Sequence, residues 1–180
     1  VAGSFLALLS NKLENRVWNP DETASELGLL LLGSIPHAVR GRRDKLAFAC
    51  HSEKFDSIAE SFAAVRAVVD SDRSIKTILV TSSTPEEGKT VCSCNLAISS
   101  ARSGLKTLLV DLDMRRPRLR KMFKLMVSGK NIFHVQVLAD ETSQDFAALP
   151  VKSDIPNLDI VPTLPSAASP SEILGSRRIE

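Results

Sequence analysis

Apolar positions recur at helical spacing near the start of the chain, where Phe5, Leu6, Leu8, Leu9, Leu13 and Val17 predict an amphipathic helix. A second helix start follows at residues 19–22. Asn19 is placed as cap, Pro20 at the first helical position, and Asp21 and Glu22 on the positive end of the dipole, with Gly28 closing the helix. Leu29 to Leu32, ending at Gly33 and Pro36, reads as a short strand or an extended connector. Residues 37–54 are polar, basic and aperiodic, so a linker is expected there, with Arg40, Arg42, Arg43 and Lys45 as a charge cluster. Helical spacing returns with Ile58, Phe62, Val65 and Val69 and ends at Ser71-Asp72.

Beyond that helix the period changes. Residues 77–81, TILVT, form a short β-branched run without polar alternation, which predicts a strand buried on both faces. A turn-rich loop leads into a predicted helix from Lys89 to Ser103, closed by Gly104, and a second buried run follows at Thr107 to Asp111. Strand, helix and strand in this order predict a right-handed βαβ unit, hence a parallel sheet and an α/β class. After Asp113 the chain is basic (Arg115, Arg116, Arg118, Arg120, Lys121, Lys124). Short helices are expected over residues 131–148, a strand from Leu158 to Pro162, and a helix start at Pro170 to Leu174.

Composition adds little. With 180 residues and a net charge of +2, the chain suits one soluble domain plus an appendage, and the charge does not argue for nucleic acid. Of the three cysteines, Cys92 and Cys94 are i,i+2 in a predicted helix and point apart, which disfavours a bridge or shared metal. His37, His51 and His134 show no zinc-ligand spacing, and a reduced compartment is expected. Residues 1–9 are too short to span a bilayer and lack a signal-peptide pattern. Val1 stands where an initiating Met would, so upstream sequence is expected.

The candidate chemistry lies between the two central strands. Ser83-Thr84-Pro85-Glu86-Glu87-Gly88-Lys89-Thr90 follows the phosphate-loop pattern G-x-x-x-x-G-K-[ST], with Ser83 at the first glycine position. The amides of residues 86–90, at a helix opening, would form a nest for phosphate oxygens. Gly88 permits close backbone approach, Lys89 supplies charge for the β- and γ-phosphates, and the Thr90 hydroxyl suits Mg²⁺. The competing reading is an ordinary strand-to-helix turn, and Glu86 and Glu87 are expected to be solvated. Asp111 and Asp113 end the following strand. In a parallel unit that places Asp111 at the same sheet edge as Lys89 and Thr90, where it can serve Mg²⁺ or accept a proton.

The loop S-x-x-P-x-x-G-K-T and the segment LLVDLDMRRPRL, an apolar triplet followed by D-x-D-x-R, resemble the bacterial tyrosine kinases, the cytoplasmic ends of polysaccharide chain-length regulators. Residues 5–36 are similar to that family's segment after the second membrane helix, and residues 157–176 to its later asparagine/proline region. The resemblance implies a P-loop NTPase fold with a parallel sheet flanked by helices, preceded by a helical juxtamembrane segment and linker over 1–54, with an ATP-binding kinase domain over 55–180.

It further implies ATP and Mg²⁺ as cofactors, with nucleotide contacts from Thr84, Pro85, Glu86, Glu87, Gly88, Lys89, Thr90, Val91 and Arg115. Metal contacts would come from Thr90 and Asp111, and catalytic roles from Lys89, Asp111 (the base) and Asp113. The expected place is the cytoplasmic face of a bacterial inner membrane, beside a membrane-spanning co-polymerase region of the same or a partner chain.

Three departures stand out. The family's E-x-x-R-x-x-R assembly motif is met here by Glu60, Ala63 and Arg66, which puts a homo-oligomer in doubt. The family's Walker B strand is expected beyond residue 180, which would leave an apolar strand unpaired and residues 1–180 incompletely folded. The chain contains no tyrosine. Two other readings remain: a partitioning or septum-site ATPase, whose loop usually carries a lysine where Thr84 stands, and a non-catalytic nucleotide-binding remnant.

Overall fold

The structure is a computed structural model that describes residues 19–36, 43–113, 115–125 and 150–163. The predicted helices at residues 5–17, 131–148 and 170–174, together with Arg40 and Arg42, lie outside the described residues.

The chain divides into two compact units, residues 1–34 and 35–180. In the first, helix α1 (Pro20–Glu26) starts as its sequence predicts. Asn19 caps it, its side-chain oxygen accepting the Glu22 amide at 3.4 Å while its side-chain nitrogen donates to the Glu22 carboxylate at 3.2 Å. Gly28, at φ 64°, closes it: the Leu29 amide donates to Ala24 O and the Gly28 amide to Ser25 O, the paired bonds of a Schellman end. Residues 29–32 form an extended, exposed connector, not a strand.

The second unit begins with the short helix α2 (Arg43–Leu46) and two 3₁₀ turns, Ala49–His51 and Glu53–Phe55. Helix α3 (Asp56–Ser71) follows and buries Ile58 and Phe62. Helix α4 (Lys89–Arg102) buries Cys94, Ala97, Ile98 and Ala101, positions spaced i, i+3, i+4 and i+7, so one stripe faces the core. It packs against α3 and against strands β1 (Thr107–Val110) and β3 (Leu158–Val161). Gly104, at φ 94°, ends it with the same paired bonds, from Gly104 to Ala101 O and from Leu105 to Ser100 O. After β1 come the one-turn helix α5 (Leu119–Met122) and strand β2 (Val151–Lys152).

The sheet order is β1-β3-β2. β1 and β3 are parallel, in register from Thr107↔Leu158 to Val110↔Val161, and β2 runs antiparallel on the other side of β3. The central strand accordingly buries Leu158, Ile160 and Val161. Helices packed on a mixed sheet bear out the α/β expectation.

Two expectations are corrected. Residues 77–81 form no strand: the segment pairs with no described strand, and Ile78 and Leu79 are 47% and 81% exposed. β-propensity becomes a strand only where a ladder partner lies alongside. The described neighbour of β1 is β3, so the parallel pair is β1 with β3, and the segment before α4 takes no part in it. Nor is the stretch 37–54 a linker throughout: Leu46, Ala47, Ala49 and Cys50 are buried in the core of the second unit.

Candidate functional site

The loop between residues 82 and 88 is built by its own side chains. Gly88 opens α4 at φ 98°, a left-handed conformation that a side chain would strain, and its carbonyl already accepts the Cys92 amide at 2.9 Å. Immediately after it, Lys89 folds back over the loop. Its ammonium donates to Ser82 Oγ at 2.7 Å and to Thr84 O at 3.4 Å, while Ser82 Oγ donates to Thr84 O at 2.8 Å. Glu87 closes the other side: its carboxylate accepts the Thr84 amide at 3.1 Å and the Ser83 hydroxyl at 3.3 Å. Hydrogen bonding at Thr84, with Ser82 and Ser83 contributing less, holds the Glu87 carboxyl below the usual carboxylate range. Glu86 takes φ 68°, unusual for a residue with a side chain.

Asp111 continues β1, its amide donating to Val161 O at 3.0 Å. It is 8% exposed, and both carboxylate oxygens turn to the backbone. Oδ1 accepts the Asp113 amide at 3.1 Å; Oδ2 accepts the amides of Arg118 and Leu119 at 3.1 and 3.2 Å. Burial pushes the Asp111 carboxyl above its ordinary range against the opposing pull of these amides. Asp113, exposed, accepts the amides of Arg115 and Arg116 on Oδ1 at 3.2 and 2.9 Å. The two aspartates thus organise the basic segment after β1, a structural task that the D-x-D spacing alone did not announce.

Cys94 sits on the stripe of α4 that faces the core. It is fully buried, and desolvation, with the charge of Asp111 adding to it, pushes its thiol up to about 12. Cys94 lies one helical turn from Thr90 on the same face of α4. The helix that Gly88, Lys89 and Thr90 open packs against β1, the strand that Asp111 continues. Val91 is different in kind: its side chain packs against the core and its carbonyl accepts the Asn95 amide, so only its backbone amide is placed as a phosphate donor. Pro85 is exposed in the loop, and Arg115 carries an exposed side chain.

Sequence reasoning missed Asn95, which ties α4 to the 46–50 segment, and Ser82, the closest partner of Lys89. The signal for Asn95 was a polar residue on the apolar stripe beside Cys94 and Ile98.

Residues 78–167 match the CobQ/CobB/MinD/ParA nucleotide binding domain. The chain belongs to this family. It is 28% identical over 131 residues to the putative tyrosine-protein kinase CapB of Staphylococcus aureus, covering 71% of this chain and 55% of that protein. It is 29% identical over 141 residues to the tyrosine-protein kinase YwqD of Bacillus subtilis (strain 168), covering 77% and 57%. The chain thus spans little more than half the length of these relatives.

Among solved structures, the chimerical protein CapA2B2 superposes with a TM-score of 0.67 at 27% identity over 89% of this chain and 67% of that one. The BceF tyrosine kinase domain does so with a TM-score of 0.69 at 26% identity, over 89% and 68%.

Proposed function

We propose that this chain is the ATP-binding part of a bacterial protein-tyrosine kinase acting in capsule or exopolysaccharide synthesis. The observation that carries the reading is the packing of α4, opened by Gly88-Lys89-Thr90, against β1, which Asp111 continues, within a nucleotide-binding domain. Lys89 would leave Ser82 and Thr84 O for the β- and γ-phosphates, and the amides at 86–90 would receive phosphate oxygens.

Magnesium fits the donor set. Among the described residues no cluster of three or more His, Cys, Asp or Glu side chains could hold a metal by itself. Mg²⁺, however, commonly takes one or two protein oxygens and the substrate's phosphates. Thr90 Oγ1 and Asp111 Oδ1 are the protein oxygens offered. Oδ2 already accepts two amides, whereas Oδ1 accepts one and keeps a lone pair. When bound, the ion supplies neutralisation of phosphate charge.

Asp111, its carboxyl raised by burial, is a better proton acceptor than a solvated aspartate and serves as base for the attacking hydroxyl. Asp113 positions Arg115 and Arg116 through their amides. With no tyrosine in residues 1–180, the acceptor hydroxyl comes from elsewhere.

The setting follows from the same reading: the cytoplasmic face of the inner membrane, beside a membrane-spanning co-polymerase region. Homo-oligomerisation through the α3 motif is weakened by Ala63 and by the pairing of Arg66 with Asp70 of its own helix at 2.6 Å. A partitioning-type switch is less well supported, because Thr84 stands where those loops usually carry lysine.

The test is titration of a fluorescent ATP analogue with Mg²⁺. Lys89→Ala is expected to weaken binding by at least about tenfold with its melting temperature unchanged; equal binding by both proteins overturns the assignment. Transfer of the γ-phosphoryl group to an added tyrosine peptide then separates a kinase from a non-catalytic remnant.

A further inference from the structure

Glu87 and Ser83 form a pair that neither the phosphate-loop pattern nor the proposed reaction accounts for. The pattern places glycine where Ser83 stands. Glycine would supply no side-chain donor; the Ser83 hydroxyl donates to the Glu87 carboxylate at 3.3 Å, and the Thr84 amide joins it at 3.1 Å. These contacts span three and four residues and join the two limbs of the loop. Lys89 holds the first limb from the other side through Ser82 and Thr84 O. Both donors to Glu87 lie upstream of the amides at 86–90 that phosphate would use. A carboxylate so placed does not take the ligand's seat. It fixes the loop around that seat.

Resting on the nucleotide-binding reading above, we infer that Glu87 is a positioning residue whose clasp on Ser83 and Thr84 pre-forms the phosphate loop for ATP. The advantage is entropic. The segment feeding the loop, residues 77–81, pairs with no described strand, and an open loop would have to be ordered at the moment of binding. The alternative is electrostatic: a fixed negative charge beside a triphosphate would oppose it. Removing Glu87 would then improve affinity, and the two possibilities predict opposite signs.

The experiment uses the 180-residue chain and the same fluorescent ATP analogue. Glu87→Ala is expected to weaken binding by about tenfold. Glu87→Gln, whose side-chain oxygen accepts the same two donors without charge, is expected to retain most of the wild-type affinity. Ser83→Gly is expected to weaken binding less than Glu87→Ala, and to add little in the double variant, because both remove one contact. Melting temperatures of all variants are expected to stay together, which separates positioning from unfolding.

Unchanged affinity in Glu87→Ala, or tighter binding in both Glu87→Ala and Glu87→Gln, overturns the clasp while leaving nucleotide binding intact. If the wild-type chain and Lys89→Ala bind equally, the underlying reading falls, and the clasp with it.

Discussion

The side-chain oxygen of Asn95 accepts the backbone amide of Cys50 at 2.9 Å in the interior of the second unit, joining α4 to a 3₁₀ turn 45 residues earlier in the chain. The same side chain donates to Leu46 O at 2.6 Å and Val91 O at 2.9 Å. One fully buried amide thus satisfies both an N–H and a C=O of a segment that lies in no described sheet. Arg102 adds a bond to Cys50 O from the far end of the helix.

Asn95→Leu should therefore be severe although its volume is similar. It leaves the Cys50 amide and the Leu46 carbonyl buried without these partners, at a cost of roughly 3 kcal/mol. Urea unfolding of wild type and variant reads this directly. A change below about 1 kcal/mol would mean that residues 46–50 are not held by this amide.

Glu86 makes the opposite kind of prediction. At φ 68° its side chain is disfavoured by roughly 1–2 kcal/mol, which glycine would avoid. Glycine also loses more freedom on folding, about 0.5–1 kcal/mol relative to alanine. These backbone contributions alone favour Glu86→Gly by roughly 0.5–1 kcal/mol, and the interaction that Glu86 makes stands against them. A higher urea midpoint with an unchanged slope is the expected readout; a lower midpoint would show that Glu86 gains more from its contacts than its backbone loses.

At the end of α3, Asp72 accepts the Ser74 hydroxyl at 2.6 Å and the Ser74 amide at 2.9 Å, and these bonds hold its carboxyl below the usual range. A folded-state value below the unfolded one means that the unfolded chain binds more protons in acid. The contribution is present above the ordinary carboxylate value and is lost as pH falls through the depressed one. Asp72→Asn keeps an acceptor for both donors but removes the titration. Its urea midpoint should therefore fall less steeply than that of wild type between about pH 5 and pH 2. Superimposable pH profiles would remove Asp72 from the acid response.

Local patterns were read correctly wherever the outcome was local. Asn19-Pro20 starts α1, the Ile58/Phe62 spacing builds α3, Lys89 begins α4 and Gly104 ends it, and the runs at 107 and 158 become β1 and β3. The helix boundaries depend on contacts within one or two turns, or on a glycine that takes a left-handed backbone without strain, whereas β1 and β3 are held by pairing with each other. The Gly-Lys-Thr step at a helix opening was legible for the same reason. Residues 77–81 were read as a strand and pair with no described one, because a strand is a relation between two segments and the composition of one does not report its partner.

By itself the chain's order of residues determined, among the described elements, helices α1, α3 and α4, strands β1 and β3, and a Gly-Lys-Thr step at a helix opening. Only the tertiary structure decided three further matters. The basic stretch before α3 carries part of the core, Asn95 is its tie, and Glu87 is tied to Ser83 and Thr84 and not simply solvated. Periodicity records which face of an element is apolar. Hydrogen bonds between residues 45 positions apart, or between two limbs of a loop, are settled by geometry that no single segment contains.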